Sequence, residues 1–211
     1  MIDVVIPNGN EKDFIRMAEK LGFSSLCFIY EKPTVASYDS KLKIYSGIIS
    51  KKIKHINSDL VVVPNADRTF FESEHGDMGI HLEIQTKDFL HHKSSGLNQV
   101  LCELAKQNRK ITGIDFSMIL NSNSVERALV FGRIVQNIHF ARKYKFDLAL
   151  CSFASNPSEM RSPHDLKAFL ISLGMHPSEA QNALSCVEKK ILDNIRKKSP
   201  SYIGEGVEIV D

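Results

Sequence analysis

The segment Met160-Arg161-Ser162-Pro163-His164-Asp165-Leu166 sets an arginine directly before a helix start. Ser162 can cap that helix, Pro163 fits its first position, and Asp165 stands where an acid complements the helix dipole. A helix mouth of this kind favours anions. Arg161 can therefore grip a phosphate, or it can pair with a nearby Asp or Glu. Two further loops repeat the combination of small polar residues and a cation before a helix. One runs from Thr86 to Gly96, carries Lys87, His91, His92 and Lys93, and ends in Ser94-Ser95-Gly96. The other is Asn121-Ser122-Asn123-Ser124, ahead of Arg127. Exposed backbone amides among such residues suit phosphate or sulfate, although each loop alone is also an ordinary cap.

Other chemistry finds less support. His75, His81, His91 and His92 cluster between Glu72 and Lys93, with Glu74, Asp77 and Glu83 nearby, and all are metal-ligand residue types. Their spacing matches no metal motif, so the plainer reading is surface histidines with one on a strand. Neither G-x-G-x-x-G nor G-x-x-x-x-G-K-[ST] occurs, which leaves dinucleotide and P-loop binding without local support. There is no G-x-S-x-G elbow either. Ser152, His164 and Asp165 are the residue types of a hydrolytic triad. Adjacent helical residues point about 100° apart, however, which is poor geometry for an orienting pair.

An apolar fraction of 43% and a charged fraction of 25% are those of a soluble globular protein. Charge interrupts every apolar run well short of a membrane span. Met1-Ile2-Asp3 lacks the basic start of a signal peptide, and Asn10-Glu11-Lys12-Asp13 cuts the apolar region short. Cys27, Cys102, Cys151 and Cys186 are scattered in apolar contexts, which suits reduced, buried thiols in the cytoplasm. A net charge of +2 does not announce a nucleic-acid protein. The cations are clustered, though, at Lys51-Lys52-Ile53-Lys54, Arg109-Lys110, Arg142-Lys143-Tyr144-Lys145, Lys189-Lys190 and Arg196-Lys197-Lys198. Together they can neutralise several phosphates if the fold gathers them on one side.

The elements that must position these residues alternate between short β-branched runs and amphipathic helices. Strands are expected over 2–6, 25–30, 43–50, 60–63, 79–84, 111–117 and 147–154. Helices are expected over 11–21, 66–73 and 163–173, and onward from Leu97, Asn123 and Pro177. Such repetition implies parallel strands with right-handed crossovers, in an open doubly wound sheet or a closed barrel. Even spacing of short strands favours the barrel: an α/β fold, a compact TIM-like β/α barrel of parallel strands with some helices missing from the ring. It would occupy 1–198 as one domain, with 199–211 as a C-terminal tail. In such a barrel the three cation-bearing loops share one face and form a polyanion-binding rim.

An ordered set of residues in the second half carries a resemblance. It comprises Ser95-Gly96-Leu97-Asn98, Asp115-Phe116-Ser117, Arg127, Lys143-Tyr144-Lys145, Ser152 with Ala154, Arg161 to Leu166, and Leu173-Gly174-Met175 leading to Ala180. This set resembles the family of the thirty-kilodalton ribonuclease P subunit, called ribonuclease P protein component 3 in archaea. The resemblance covers residues 94–187, and the N-terminal half fits through its strand–helix rhythm. It implies a β/α barrel related to a phosphoesterase-like superfamily. It also implies a protein subunit of ribonuclease P, the RNA-based endoribonuclease that removes the 5′ leader of precursor tRNA. On this reading the chain alone is non-catalytic and binds no cofactor or metal, because catalysis belongs to the RNA and its bound magnesium. The implied partners are the ribonuclease P RNA, protein component 2, the other ribonuclease P protein subunits and, through the complex, precursor tRNA. No membrane is involved.

Metal-dependent relatives in the superfamily carry H-x-H on the first strand, where this chain reads Asp3-Val4-Val5-Ile6-Pro7-Asn8. A metal-dependent phosphoesterase of the same barrel, using the His75–His92 cluster, is the alternative, and a small-molecule barrel enzyme with a phosphate site is a third reading. Two positions depart from the family pattern: Phe153 stands where many members have a small residue, often glycine, and His81 where aspartate is frequent. Carried over onto the matching residues, RNA contact falls to Arg161 first, then to Arg127, Lys93 and His164. Their role would be contact with phosphates and 2′-hydroxyls of structured RNA. For Arg127 an ion pair with Asp115 is an equal alternative.

Overall fold

Seven parallel strands follow one another in sequence order around a barrel. They are β1 (Ile2–Val5), β2 (Ser25–Tyr30), β3 (Lys43–Ile49), β4 (Leu60–Pro64), β5 (Met78–Ile80), β6 (Ile111–Asp115) and β7 (Asp147–Cys151). The structure is a computed structural model that describes residues 1–34, 38–84, 87–88, 93–200, 202–204 and 207–208. The helices are α1 (Glu11–Leu21), α2 (Arg68–Glu72), α3 (Gln99–Gln107), α4 (Phe116–Asn121), α5 (Ser124–Tyr144), α6 (Pro163–Ser172), α7 (Pro177–Ala183) and α8 (Cys186–Lys197). Among the described residues no helix follows β2 or β3, so the ring is incomplete on that side. A short antiparallel hairpin, β8 (Tyr202–Gly204) with β9 (Val207–Glu208), ends the described chain.

β1, β2, β4, β5, β6 and β7 bury nearly all their residues on both faces, which is why they read as nearly continuous apolar runs, whereas β3 on the open side is only partly covered. Val4, Ile29, Val62, Ile80, Ile111 and Cys151 point into the barrel, and Cys186, Val187 and Ile191 of α8 close its N-terminal end. The outer face of the sheet packs against α1, α5, α6 and α7 through residues such as Phe14, Ile134, Leu166 and Ala180. A separate cluster under α2 and α3 holds Phe70, Phe71, Leu101 and Ala105. All four cysteines are buried, and no helix among the described residues is long and apolar enough to cross a membrane.

The seam between β7 and β1 closes by an unusual route. Val5 and Ala154 form a single parallel bridge. Phe153 N–H donates to Val4 O at 2.7 Å, and Ile6 N–H donates to Ala154 O at 2.9 Å. Beside them the Asp3 carboxylate replaces a strand carbonyl, its Oδ1 accepting the N–H groups of Ser152 at 2.8 Å and Val4 at 2.9 Å. Burial pushes the Asp3 carboxyl up to about 6, against the opposing pull of the Ser152 and Val4 hydrogen bonds.

Several boundaries differ from the sequence expectation, among them the end of the strand expected over 147–154, which stops at Cys151, and three others are instructive. The strand expected over 79–84 ends at Ile80, because His81 turns left-handed with φ of 65°. The strand expected to reach residue 117 ends at Asp115, whose Oδ1 caps α4 through the Met118 N–H at 2.9 Å. The chain after Pro177 divides into α7 and α8. Phe153 also acquires a reason: its φ of 47° is a conformation in which glycine is relaxed. Its ring is buried inside the barrel. That burial contributes about 2–3 kcal/mol and outweighs the backbone cost of about 1–2 kcal/mol.

Candidate functional site

The rim at the C-terminal end of the strands begins with the chain leaving β7. Residues Pro157–Glu159 form one 3₁₀ turn capped by Asn156. The Glu159 carboxylate accepts the N–H groups of Ser155 at 3.0 Å and Asn156 at 3.3 Å. It also receives Ser117 Oγ and Asn121 Nδ2 of α4, both at 3.3 Å. Burial pushes this carboxyl upward, but the hydrogen bonds outweigh burial and hold it below the usual carboxylate range. The turn is thereby fastened to α4.

Arg161 emerges directly from this turn, half-buried. Its Nη1 donates to Ser158 O at 3.0 Å and Met160 O at 2.8 Å. No carboxylate among the described residues pairs with it, so the ion-pair reading gives way. One nitrogen anchors the fork, and Nε and Nη2 make no hydrogen bond within the described residues. Ser162 caps α6 as expected: its Oγ accepts Asp165 N–H at 3.1 Å and donates to Asp165 Oδ2 at 2.7 Å. His164, in the first turn, is 92% exposed in its side chain, with Nδ1 at 3.8 Å from Asp165 Oδ1. Ser152 lies buried in the seam, so no triad assembles with His164.

Arg127 has a different task. Its Nε donates to Ile119 O at 2.9 Å, and its Nη2 to Leu120 O at 3.0 Å and Ser122 O at 2.7 Å. These carbonyls close the end of α4, where a helix has no partners of its own. The alternative pairing with Asp115 does not form. Asp115 spends Oδ1 on the α4 cap and Oδ2 on His81 Nε2 at 2.8 Å.

Lys93 is half exposed and reaches Asp88 Oδ2 at 3.4 Å. Gln136 clamps its backbone, accepting Lys93 N–H and donating to Lys93 O, each at 3.0 Å. Asp88 also accepts Ser94 N–H at 2.7 Å and Arg133 Nε at 2.9 Å. The Ser94 bond first, and then the Arg133 guanidinium, hold Asp88 below the usual range against partial burial. Arg133 Nη1 donates to Glu83 O at 2.7 Å, and Asn137 Nδ2 donates to Glu83 Oε1 at 3.0 Å. Fully buried, Glu83 is pushed up to about 7 by desolvation. Gly96, with φ of 79°, passes so close to Leu82 O that a Cβ would lie 2.3 Å away. The loop is thus held by Arg133, Gln136 and Asn137, which sequence reasoning missed. The available signal was a charge and an amide placed among the apolar residues Val130, Ile134 and Ile138 of α5.

Among the described residues the histidine cluster is not brought together. His75 and Asp77 precede β5, whereas His81 and Glu83 follow it, so the strand sends the two pairs to opposite barrel ends. Glu72 pairs with Arg68 at 2.6 Å and Asp77 with Lys190 at 3.5 Å. His91 and His92 lie outside the described residues. Among the described residues no three His, Cys, Asp or Glu side chains are placed to hold a metal ion. The phosphoesterase alternative therefore lacks an assembled ligand set there.

Known proteins resemble this chain in sequence and in fold. The RNase P subunit p30 family matches residues 1–200. Ribonuclease P protein component 3 of Methanosarcina mazei is 39% identical over 134 residues, covering 62% of this chain and 56% of that protein. The match thus spans little more than half of that relative's length. Component 3 of Methanocaldococcus jannaschii is 26% identical over 191 residues, covering 86% of this chain and 82% of that protein. A chain from the cryo-EM structure of archaeal ribonuclease P with mature tRNA superposes with a TM-score of 0.81 at 22% identity, over 99% of this chain and 98% of that one. That likeness concerns the fold. With the seven-stranded barrel, its rim loops and α8 all inside the matched region, the chain belongs to the RNase P subunit p30 family.

Proposed function

We propose that this chain is a protein subunit of ribonuclease P, supporting the catalytic RNA as it removes the 5′ leader of precursor tRNA. The observation that carries this reading is the family match over residues 1–200. In this role the chain contributes no catalytic residue and no cofactor, and the magnesium ions sit on the RNA. It works in the cytoplasm alongside protein component 2 and the other ribonuclease P protein subunits.

Arg161 contacts the RNA backbone at the mouth of α6, with Nη1 anchored on Ser158 and Met160 and the rest of the guanidinium turned to a phosphate. His164 extends the same surface. Lys93 can exchange its ion pair with Asp88 for a phosphate, because Arg133 also pairs with that carboxylate. Arg127 supports the rim from behind by fixing the end of α4, which in turn holds the Glu159 turn. The direct test is to purify the tagged chain from its own cells and sequence the RNA that accompanies it. Enrichment of ribonuclease P RNA is expected, and its absence refutes the reading.

A further inference from the structure

The barrel end opposite the Arg161 rim gathers cations that are scattered in the sequence. Lys106, Arg109, Lys110, Lys145, Lys189 and Lys190 line one cleft of about 420 Å³. They come from the end of α3, the end of α5 and the outer face of α8. Two acids share the lining, Asp147 and Asp193. Asp193 is already engaged by Arg196 at 2.9 Å and Lys197 at 2.7 Å. Lys110 forms the buried floor, its Nζ donating to the carbonyls of His75 at 2.8 Å and Gly76 at 2.6 Å. Burial first, and then the neighbouring Lys190 charge, push its amine down to about 8. Lys106, Arg109, Lys145 and Lys189 are exposed above that floor.

Backbone conformation points the same way. Arg109 and Lys145 each end a helix in the left-handed region, with φ of 51° and 62°. Glycine is the relaxed choice at such positions. The chain uses glycine there after α1 and α6, where Gly22 and Gly174 have φ of 84° and 96°. At the two helix ends facing the cleft it keeps a cation instead. The apolar lining residues Ala105, Ile111, Phe146 and Cys186 are already buried, so no open apolar pocket awaits a peptide side chain.

We infer that this cleft seats the sugar–phosphate backbone of RNA, as a second contact surface at the barrel end away from Arg161. The inference rests on the ribonuclease P reading above. Its test is the Arg109→Gly/Lys145→Gly double variant, titrated into ribonuclease P RNA from the same genome together with the remaining protein subunits. Because glycine relieves both turns, which offsets the loss of side-chain contacts at Arg109, the variant should still fold cooperatively. RNA affinity should nevertheless fall about ten-fold near physiological salt, and the slope of log affinity against log salt should shrink by about 2. Lys106→Gln/Lys189→Gln, on exposed helix surfaces, should act in the same direction. Wild-type binding with unchanged affinity and slope in both variants would overturn the cleft but leave the subunit reading intact. Unchanged RNA binding with lost association to another protein subunit would assign the cleft to an acidic protein and also overturn it. If the wild-type chain fails to join the RNA at all, the subunit reading itself falls.

Discussion

The Asp3 carboxylate and the Ser152 N–H, 149 positions apart, share a 2.8 Å hydrogen bond that stands in for strand pairing at the barrel seam. Asp3→Ala leaves the buried N–H groups of Ser152 and Val4 without that acceptor, at about 1–3 kcal/mol for each unsatisfied group. Urea denaturation should show a total loss of about 2–6 kcal/mol. Asp3→Asn keeps Oδ1 as an acceptor and should lose less. An unchanged urea midpoint in Asp3→Ala would show that the seam closes without the carboxylate.

Stability should also carry a pH signature from Glu83. Its carboxyl is pushed up from 4.5 to about 7 in the folded chain. Between those values the folded state binds more protons than the unfolded state, so this group's contribution is complete below pH 4.5, declines as pH rises and is lost above about 7. Glu83→Gln removes the ionising group. Compared with the wild type, it should gain on the order of 2 kcal/mol in going from pH 5 to pH 8. Urea midpoints at the two pH values measure this, and identical pH trends in the two proteins would contradict it.

Arg127 and Arg161 should separate cleanly. Arg127→Ala uncaps α4 and should cost about 1–3 kcal/mol, with little change in the salt dependence of RNA binding for the folded fraction. Arg161→Ala should leave stability within about 1 kcal/mol yet weaken RNA binding several-fold and lower the salt slope by about 1. Melting curves and RNA titrations on both variants decide the matter. Exchange of the two phenotypes would reverse the roles assigned to these arginines.

Much of the barrel was legible because its causes are local. Ser162 and Pro163 announce α6, Asn123 with Glu126 announces α5, and both appear with the expected capping bonds. What stayed hidden depends on contacts across the chain. Asp3 carries no signal in the sequence of its role at the seam, which exists only once Ser152 is placed beside it. Arg127 reads as an RNA contact or a partner of Asp115 until the carbonyls of Ile119, Leu120 and Ser122 are seen converging on it. The doublets Arg109-Lys110 and Lys189-Lys190 are visible in the sequence, but only the closure of the barrel brings them to one cleft.

Phe153 tests whether packing or backbone preference governs the seam. Phe153→Gly relieves about 1–2 kcal/mol of left-handed backbone cost but empties a buried aromatic site worth about 3–5 kcal/mol. A net loss of about 1–4 kcal/mol is expected in urea denaturation. A stabilised variant would mean that the ring contributes little to the barrel interior.

The central claim is that the chain supports an RNA enzyme. The most direct measurement is cleavage of precursor tRNA at low magnesium by ribonuclease P RNA and its protein subunits, with and without this chain. Omission should lower the cleavage rate by at least about ten-fold, which corresponds to roughly 1.4 kcal/mol of activation free energy, and adding the chain back should restore it. A rate that is unchanged by omission would contradict the account.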